Sequence, residues 1–409
     1  MVMHSHGGTA PHVPRRLRRR ATLVFVAVLV PMAVATVLGA VRLWPHGETP
    51  TIQTDAPGSS MHAGVVTRVD PGASDQVHQL QARIDGHRTA WVNVPPEYLP
   101  ELSPGDRIQV IDIGEVGPEG TPYVFVDYER GPPLAALAVG FVVLVVVVAR
   151  WRGLAALVGL VVSLGVIGVF TLPALLHGKP PAPVALVTAS AIMFVVLYLA
   201  HGVSLRTSTA LLGTLVGLVA TTALAAWASG AAQLTGLSDE YALDLMSAAP
   251  EVRIRAVLLC GMVLAGLGVL NDVTITQASA VWELHASAPD ATGRTLFGRS
   301  MRIGRDHIAS TVYTMVFAYV GATLPLVMLV TMSDRTLLAS LTNGELAEEV
   351  ARTLVGSIGL VLAIPLTTLV AVLVVRSGRD HAPRRAVVTA DQVPAEAEEV
   401  AADPVSVRA

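Results

Sequence analysis

Eight apolar stretches, each bounded by charged residues, Pro or Gly, dominate this sequence. A hydrocarbon core about 30 Å thick takes roughly 20 residues of helix to cross, so each stretch is a candidate transmembrane span. Only 14% of the 409 residues are charged, against about 25% in soluble domains. The spans are predicted at approximately 21–41, 133–149, 154–176, 184–200, 207–229, 256–275, 308–332 and 353–375.

Arginines near the ends of these stretches predict the orientation, because cytoplasmic loops carry an excess of Lys and Arg. Five arginines lie within residues 15–20, and more follow at positions 150, 152, 206, 294, 299, 302, 305, 376, 379, 384 and 385. Counting spans puts all of them on one side, together with both termini. The sequence therefore predicts a multi-pass protein of the cytoplasmic membrane, embedded in the lipid bilayer, with both termini in the cytoplasm.

The first span also fits a cleaved signal peptide, since basic residues precede it and small residues end it. Its apolar core exceeds the roughly 7 to 15 residues typical of a signal peptide, which favours a retained anchor. The predicted organisation is then a basic N-terminus, a first helix, an extracytoplasmic linker with a β domain, a seven-helix membrane domain and a disordered cytoplasmic tail. These segments cover residues 1–20, 21–41, 42–131, 132–375 and 376–409.

The segment between the first two spans has the composition of a soluble module. After a linker rich in Pro and Gly, β-rich runs recur at 62–69, 79–84, 89–94, 107–113 and 123–127. Asp85-Gly86 between two of these runs is typical of a hairpin turn. Five short strands in about 70 residues predict a small all-β barrel of OB or SH3-like kind. The aromatic residues in and just after the last run could form a ligand face, but they are predicted to be core: Tyr123, Phe125 and Tyr128.

Asp272 is the only acidic residue within the eight predicted spans. An aspartate at the bilayer centre costs about 2.5 to 3.5 kcal/mol on insertion scales, so such residues face a helix bundle or a wet pathway and mark function. Counting by threes and fours places a stripe on the same helix face, small in its outer half and polar in its inner half: Gly261, Ala265, Gly268, Asp272, Thr276, Ser279 and Glu283.

Small residues on one helix face allow another backbone to approach closely. The outer half of the stripe, Gly261, Ala265 and Gly268, is therefore predicted to pack against a neighbouring helix. Gly213 and Gly217 in the fifth span form a second small pair with the same expected role.

The approach to the seventh span carries Arg302, Arg305 and Asp306. An ion pair from Asp272 or Glu283 to Arg302 or Arg305 would neutralise the intramembrane acid, and Asn271 could donate hydrogen bonds to a neighbouring span. The candidate residues for ion coupling or helix pairing are therefore Asn271, Asp272, Glu283, Arg302, Arg305 and Asp306.

These residues also carry a family resemblance. The run Gly266-Leu-Gly-Val-Leu-Asn-Asp-Val-Thr274, with Glu283 and Met301-Arg-Ile-Gly-Arg-Asp-His-Ile-Ala-Ser-Thr311, resembles the YibE/F-like family of bacterial multi-pass membrane proteins. The resemblance covers about residues 61–375 and implies the architecture and a permease role, but no substrate and no catalytic residue. A second similarity, offered as analogy, is to protein-export accessory subunits related to proton-driven efflux pumps, which carry a comparable Asn-Asp pair.

Three classes of function follow. The favoured one is a permease or ion-coupled transporter of a small solute or ion, with Asp272 as the coupling carboxylate. The alternative is a non-transporting membrane scaffold or protein-export accessory, bound to a second membrane protein or another copy of itself, in which Asp272 pairs with Arg305 or Arg302. An enzyme is not expected, because the sequence has no HExxH, GxxxxGK[ST] or GxSxG motif. No metal, cofactor or nucleic-acid partner is predicted.

Overall fold

The computed structural model of the protein describes residues 15–47, 50, 58–69, 79–86, 88–114, 121–238 and 240–377. The chain is mostly helical, with a small β-barrel between its first two helices. The expected N-terminal segment before residue 15, much of the linker and nearly all of the expected disordered tail lie outside the described residues. The helices are α1 (Arg15–Leu43), α2 (Gly131–Val166), α3 (Leu172–Leu176), α4 (Pro181–His201), α5 (Leu205–Ala231), α6 (Glu240–Ala248), α7 (Ile254–Ser287), α8 (Gly293–Ala322), α9 (Leu324–Thr331), α10 (Leu337–Leu341) and α11 (Gly344–Ser377).

Several of these helices suit a membrane. Within the described part of the chain, six helical segments are long and apolar enough to cross a bilayer, or up to seven if α8 and α9 form one bent span. The number differs from the eight predicted stretches because predicted spans two and three fall in one segment, Gly131–Leu176. This segment is broken at Arg150, whose φ of 52° and ψ of −132° are not helical.

The centre of the helical region is formed by α5, α7 and α11. Thr214 on α5 and Thr274 on α7 share a hydrogen bond of 2.6 Å between their hydroxyl groups. A Cβ placed on Gly217 of α5 would lie 3.1 Å from atoms of both Ala363 on α11 and Leu270 on α7. Gly217 of the small pair therefore lies where α5 closely approaches both α7 and α11.

The β-barrel is closed by five strands: β1 (Ser60–Val69), β2 (Gln79–Ile84), β3 (Arg88–Asn93), β4 (Arg107–Asp112) and β5 (Tyr123–Tyr128). They follow one another around the barrel in the order β1-β2-β3-β5-β4, and β4 pairs back with β1. Only the β3–β5 pair among these is parallel. Alternate residues point inward, and Leu80, Val92, Ile108 and Phe125 fill the core. The predicted five-stranded barrel is confirmed, with strand bounds within two residues of the expected ones.

A sharp bend separates α8 from α9. The two helix axes differ by 76° across a break at Thr323, just before Pro325, which stands in the first turn of α9. Proline has no backbone N–H and its ring clashes with the preceding turn, so α8 cannot continue straight through this position. The end of α8, with Tyr319 and Thr323, lines a cavity.

Candidate functional site

Asp272 lies on the open side of α7, and 69% of its side chain is exposed. Its Oδ2 atom is 4.0 Å from Nε2 of His307 on α8, at the outer limit of an ion pair. His307 is the only basic residue paired with Asp272 among the described residues. The carboxylate of α7 and the imidazole of α8 therefore lie near each other, at a place where an arginine was expected.

The predicted arginine pairing is not present in the described structure. Arg302, Arg305, Asp306 and Glu283 all have exposed side chains, and no ion pair in the described ranges joins either acid on α7 to either arginine. The reason is helical phase. Gly304 is buried against Ile364 of α11, and residues three apart share a helix face, so His307 follows Gly304 toward the bundle. The arginines lie on other faces of α8.

Asn271 precedes Asp272 and faces the interior. Its Oδ1 atom is buried and has no hydrogen-bond partner in the part of the chain that the structure describes. The hydroxyl of Thr274, in the next turn, forms hydrogen bonds with the carbonyl oxygen of Leu270 and the hydroxyl of Thr214. An amide with an unused buried acceptor therefore stands directly beside the only acid predicted within a span.

The predicted close approach along Gly261, Ala265 and Gly268 is not what the structure shows. A Cβ added to Gly261 or Gly268 would meet no described atom within 4 Å outside its own helix. The close contact lies one position further around the helix, where a Cβ on Gly266 would be 3.7 Å from the Cα of Gly356 on α11. The stripe of small residues thus leaves free space beside α7 instead of admitting a second helix.

That space widens into a cavity of about 470 Å³. Gly261 and Ala265 form part of its wall, opposite Tyr319 and Thr323 of α8. The rest of the lining comes from the first turns of α7, from α6, from Gly236 and from residues near the start of α11. The charged lining residues are Glu348, Glu349 and Arg352.

Buried charges distinguish this cavity. Glu348 is only 8% exposed, and its Oε1 atom accepts hydrogen bonds from the backbone N–H of Gly236 at 2.8 Å and the hydroxyl of Ser238 at 3.3 Å. Glu349 pairs with Arg352 at 2.6 Å. The Nε atom of Arg352 is buried and has no acceptor among the described atoms. Within the described ranges, no group of three or more His, Cys, Asp or Glu residues could hold a metal ion.

The cavity and the Asp272–His307 pair lie along one face of α7. Ala265 in the cavity wall precedes Asp272 by seven residues, which corresponds to about 10 Å along a helix. Gly268, which lies between them, is exposed, and a Cβ at this position would meet no described atom of another element within 4 Å. The charged residues of the cavity were not among the predicted candidates, because Glu348, Glu349 and Arg352 precede the predicted eighth span. The signal that could have found them is the i, i+3 spacing of Glu349 and Arg352 just before an apolar run.

Comparison with known proteins identifies one family. A family model described as YibE/F-like protein matches residues 137–377. This range is more than half of the 409 residues and contains both the cavity and the Asp272–His307 pair, so the resemblance seen in the sequence is confirmed. No curated protein and no solved structure matches the chain.

Proposed function

We propose that this chain, which belongs to the YibE/F-like protein family, is a permease of the cytoplasmic membrane that couples solute movement to protonation of Asp272. The observation that carries the proposal is the carboxylate–imidazole pair of Asp272 and His307 on the open face between α7 and α8. Ionisable groups inside membrane spans commonly form proton relays in transporters.

The chemistry of the pair suits coupling. Imidazole is the side chain whose charge changes most readily near neutral pH. A protonated His307 would attract the Asp272 carboxylate 4.0 Å away, whereas a neutral imidazole would not. Proton uptake and release would thus change the attraction between α7 and α8. Such a change can bias the spacing of two helices beside a solute pathway.

The arginine distribution, together with the number of spans, supports an outward opening for this pathway. At the break around Arg150, Gly153 lies so close to the carbonyl group of Val145 that a Cβ would not fit, which supports a sharp turn between two spans. With this turn, and with α8 and α9 counted as one bent span, the chain would have eight spans and both termini on the same side, which the arginine distribution predicts to be the cytoplasm. The β-barrel, of OB type by its strand order, and the cavity at the start of α11 then lie on the outer side.

The scaffold alternative has less support. It requires Asp272 to pin two helices together through Arg305 or Arg302, and the described structure contains no such ion pair. The α7–α8 contact also has a separate polar link, since the Gln277 side chain donates to the carbonyl oxygen of Ser300 at 3.0 Å. Asp272 is therefore not needed to hold these helices together.

The proposal is tested with protein in vesicles that carry an internal pH-sensitive dye. A low-molecular-mass cell extract is added outside under an inward proton gradient, and acidification of the interior is recorded. The wild type should show proton entry that depends on the extract. Asp272→Asn should reduce this flux roughly tenfold or more, a change of about 1.4 kcal/mol in barrier height.

The matched control is Asp334→Asn, which makes the same substitution at an exposed acid outside the predicted spans and should leave the flux unchanged. His307→Gln should retain flux but alter its dependence on pH. Equal flux in Asp272→Asn and the wild type, with both proteins equally stable, would refute the coupling role. Absence of any extract-dependent flux in the wild type would refute transport itself.

A further inference from the structure

We infer that the cavity between α6, α7, α8 and α11 binds a small organic solute that carries an ammonium group. The inference rests on the proposed transport function and deepens it by naming the class of solute. It follows from a buried carboxylate without a cationic partner, from the aromatic and apolar walls, and from the charge balance of the cavity.

Glu348 is the main determinant. Carboxylates that are this deeply buried are normally paired or fully hydrogen-bonded. Both of its hydrogen bonds reach the same oxygen, Oε1, and no basic side chain in the described ranges pairs with it. The second oxygen, Oε2, accepts no hydrogen bond from the described residues. Glu348 also lines the cavity. A solute with N–H donors and a positive charge would supply both missing interactions.

The walls of the cavity fit the rest of such a solute. Its volume of about 470 Å³ is within the range of small-molecule sites, roughly 300 to 1,000 Å³. Tyr241 and Tyr319 line it, and aromatic rings attract organic cations through the negative potential of their faces. Leu245, Val257 and Leu258 add apolar surface, which suits a short hydrocarbon chain.

The charge balance disfavours a simple anion. Of the three charged residues that line the described cavity, Arg352 is already paired with Glu349, which leaves the Glu348 charge uncompensated. An anion would meet this carboxylate without gaining a free cation. The guanidinium group of Arg352 also lines the cavity and can attract a carboxylate that belongs to the same solute, so a zwitterion with an ammonium group also fits.

The test is binding to the purified full chain in lipid nanodiscs. Propylamine, γ-aminobutyrate and acetate serve as probes of a cation, a zwitterion and an anion, and isothermal titration calorimetry measures their affinities. Propylamine or γ-aminobutyrate, which both carry a primary ammonium group, should bind, and acetate should not. Glu348→Gln should weaken binding at least tenfold, whereas Asp334→Asn, which removes an exposed acid outside the cavity, should have no effect.

A second variant keeps the test decisive if Glu348→Gln does not fold. Gly261→Leu adds a side chain toward open space and should block the cavity without disturbing the helix contacts. Failure of both ammonium probes to bind, preferred binding of acetate, or unchanged binding in Gly261→Leu would overturn the inference.

The same measurements separate this inference from the proposed function. Asp272→Asn should bind the ammonium probes as the wild type does, because Asp272 is about 10 Å from the cavity wall. Probe binding without Asp272-dependent flux would refute coupling and leave the site. Asp272-dependent flux without probe binding would refute the ammonium site alone.

Discussion

A glycine in a membrane helix can admit a neighbouring backbone or leave a space, and both cases occur here. Gly213 on α5 lies against Thr367 of α11 so closely that a Cβ would overlap the threonine side chain. Gly261 on α7 has no described atom of another element near its missing Cβ. The sequence pattern of small residues is the same at both places, so their roles differ only through the neighbouring helix.

This difference predicts opposite effects of one substitution. Gly213→Ala should lower the free energy of unfolding by about 1–3 kcal/mol, because an added methyl group overpacks a tight contact. Gly261→Ala should be neutral or slightly stabilising, since alanine favours a helix by up to about 1 kcal/mol over glycine. Unfolding in detergent followed by circular dichroism gives both values. Similar losses in the two variants would show that the space beside Gly261 is filled.

Asp272 could be identified from the sequence, but its partner His307 could not. A lone acid in an apolar run is visible by composition, whereas the choice between Arg302, Arg305 and His307 depends on the rotation of α8 about its axis. That rotation is set by the burial of Gly304 against Ile364, a contact between residues far apart in the chain. Glu348 was missed for a similar reason, because the cavity forms only when α6, α7 and α11 come together.

One buried side-chain amide links three helices. Gln277 of α7 is 2% exposed and donates to the carbonyl oxygen of Ser300 on α8 at 3.0 Å and to the hydroxyl of Thr368 on α11 at 2.7 Å. The barrel strands, by contrast, depend on local alternation and turn residues, and their bounds were predictable from the sequence alone. A contact among three helices has no such local signature.

Gln277→Leu should therefore loosen α8 from its neighbours. Hydrogen bonds between membrane helices contribute about 0.6 kcal/mol on average and up to about 1.7, so losing both should lower the free energy of unfolding by roughly 1–2 kcal/mol. Thr276→Val is the control, because that hydroxyl bonds only carbonyls of its own helix in the described structure. A double-mutant cycle with Thr368→Val should show coupling. Additive losses would mean that the bond to Thr368 contributes nothing.

The proposed function of the whole protein depends on which side of the membrane each end of the helix bundle faces. A permease of the proposed kind needs the cavity and the barrel on the outer side and the end of α8 that begins at Gly293 on the inner side. Arginine counts predict this arrangement, but the helix packing alone is equally compatible with the reverse. Orientation is therefore the property on which the outward-facing pathway most depends.

Thiol labelling can decide the orientation, because Cys260 is the sole cysteine and is buried. Glu101→Cys in the barrel and Gly298→Cys near the start of α8 both place a thiol at an exposed position. In intact cells, a membrane-impermeant maleimide should label Glu101→Cys and spare Gly298→Cys. In inverted vesicles the pattern should reverse, and the unsubstituted chain should remain unlabelled in both. Labelling of Gly298→Cys from outside would place the cavity on the cytoplasmic side and reverse the proposed direction of solute access.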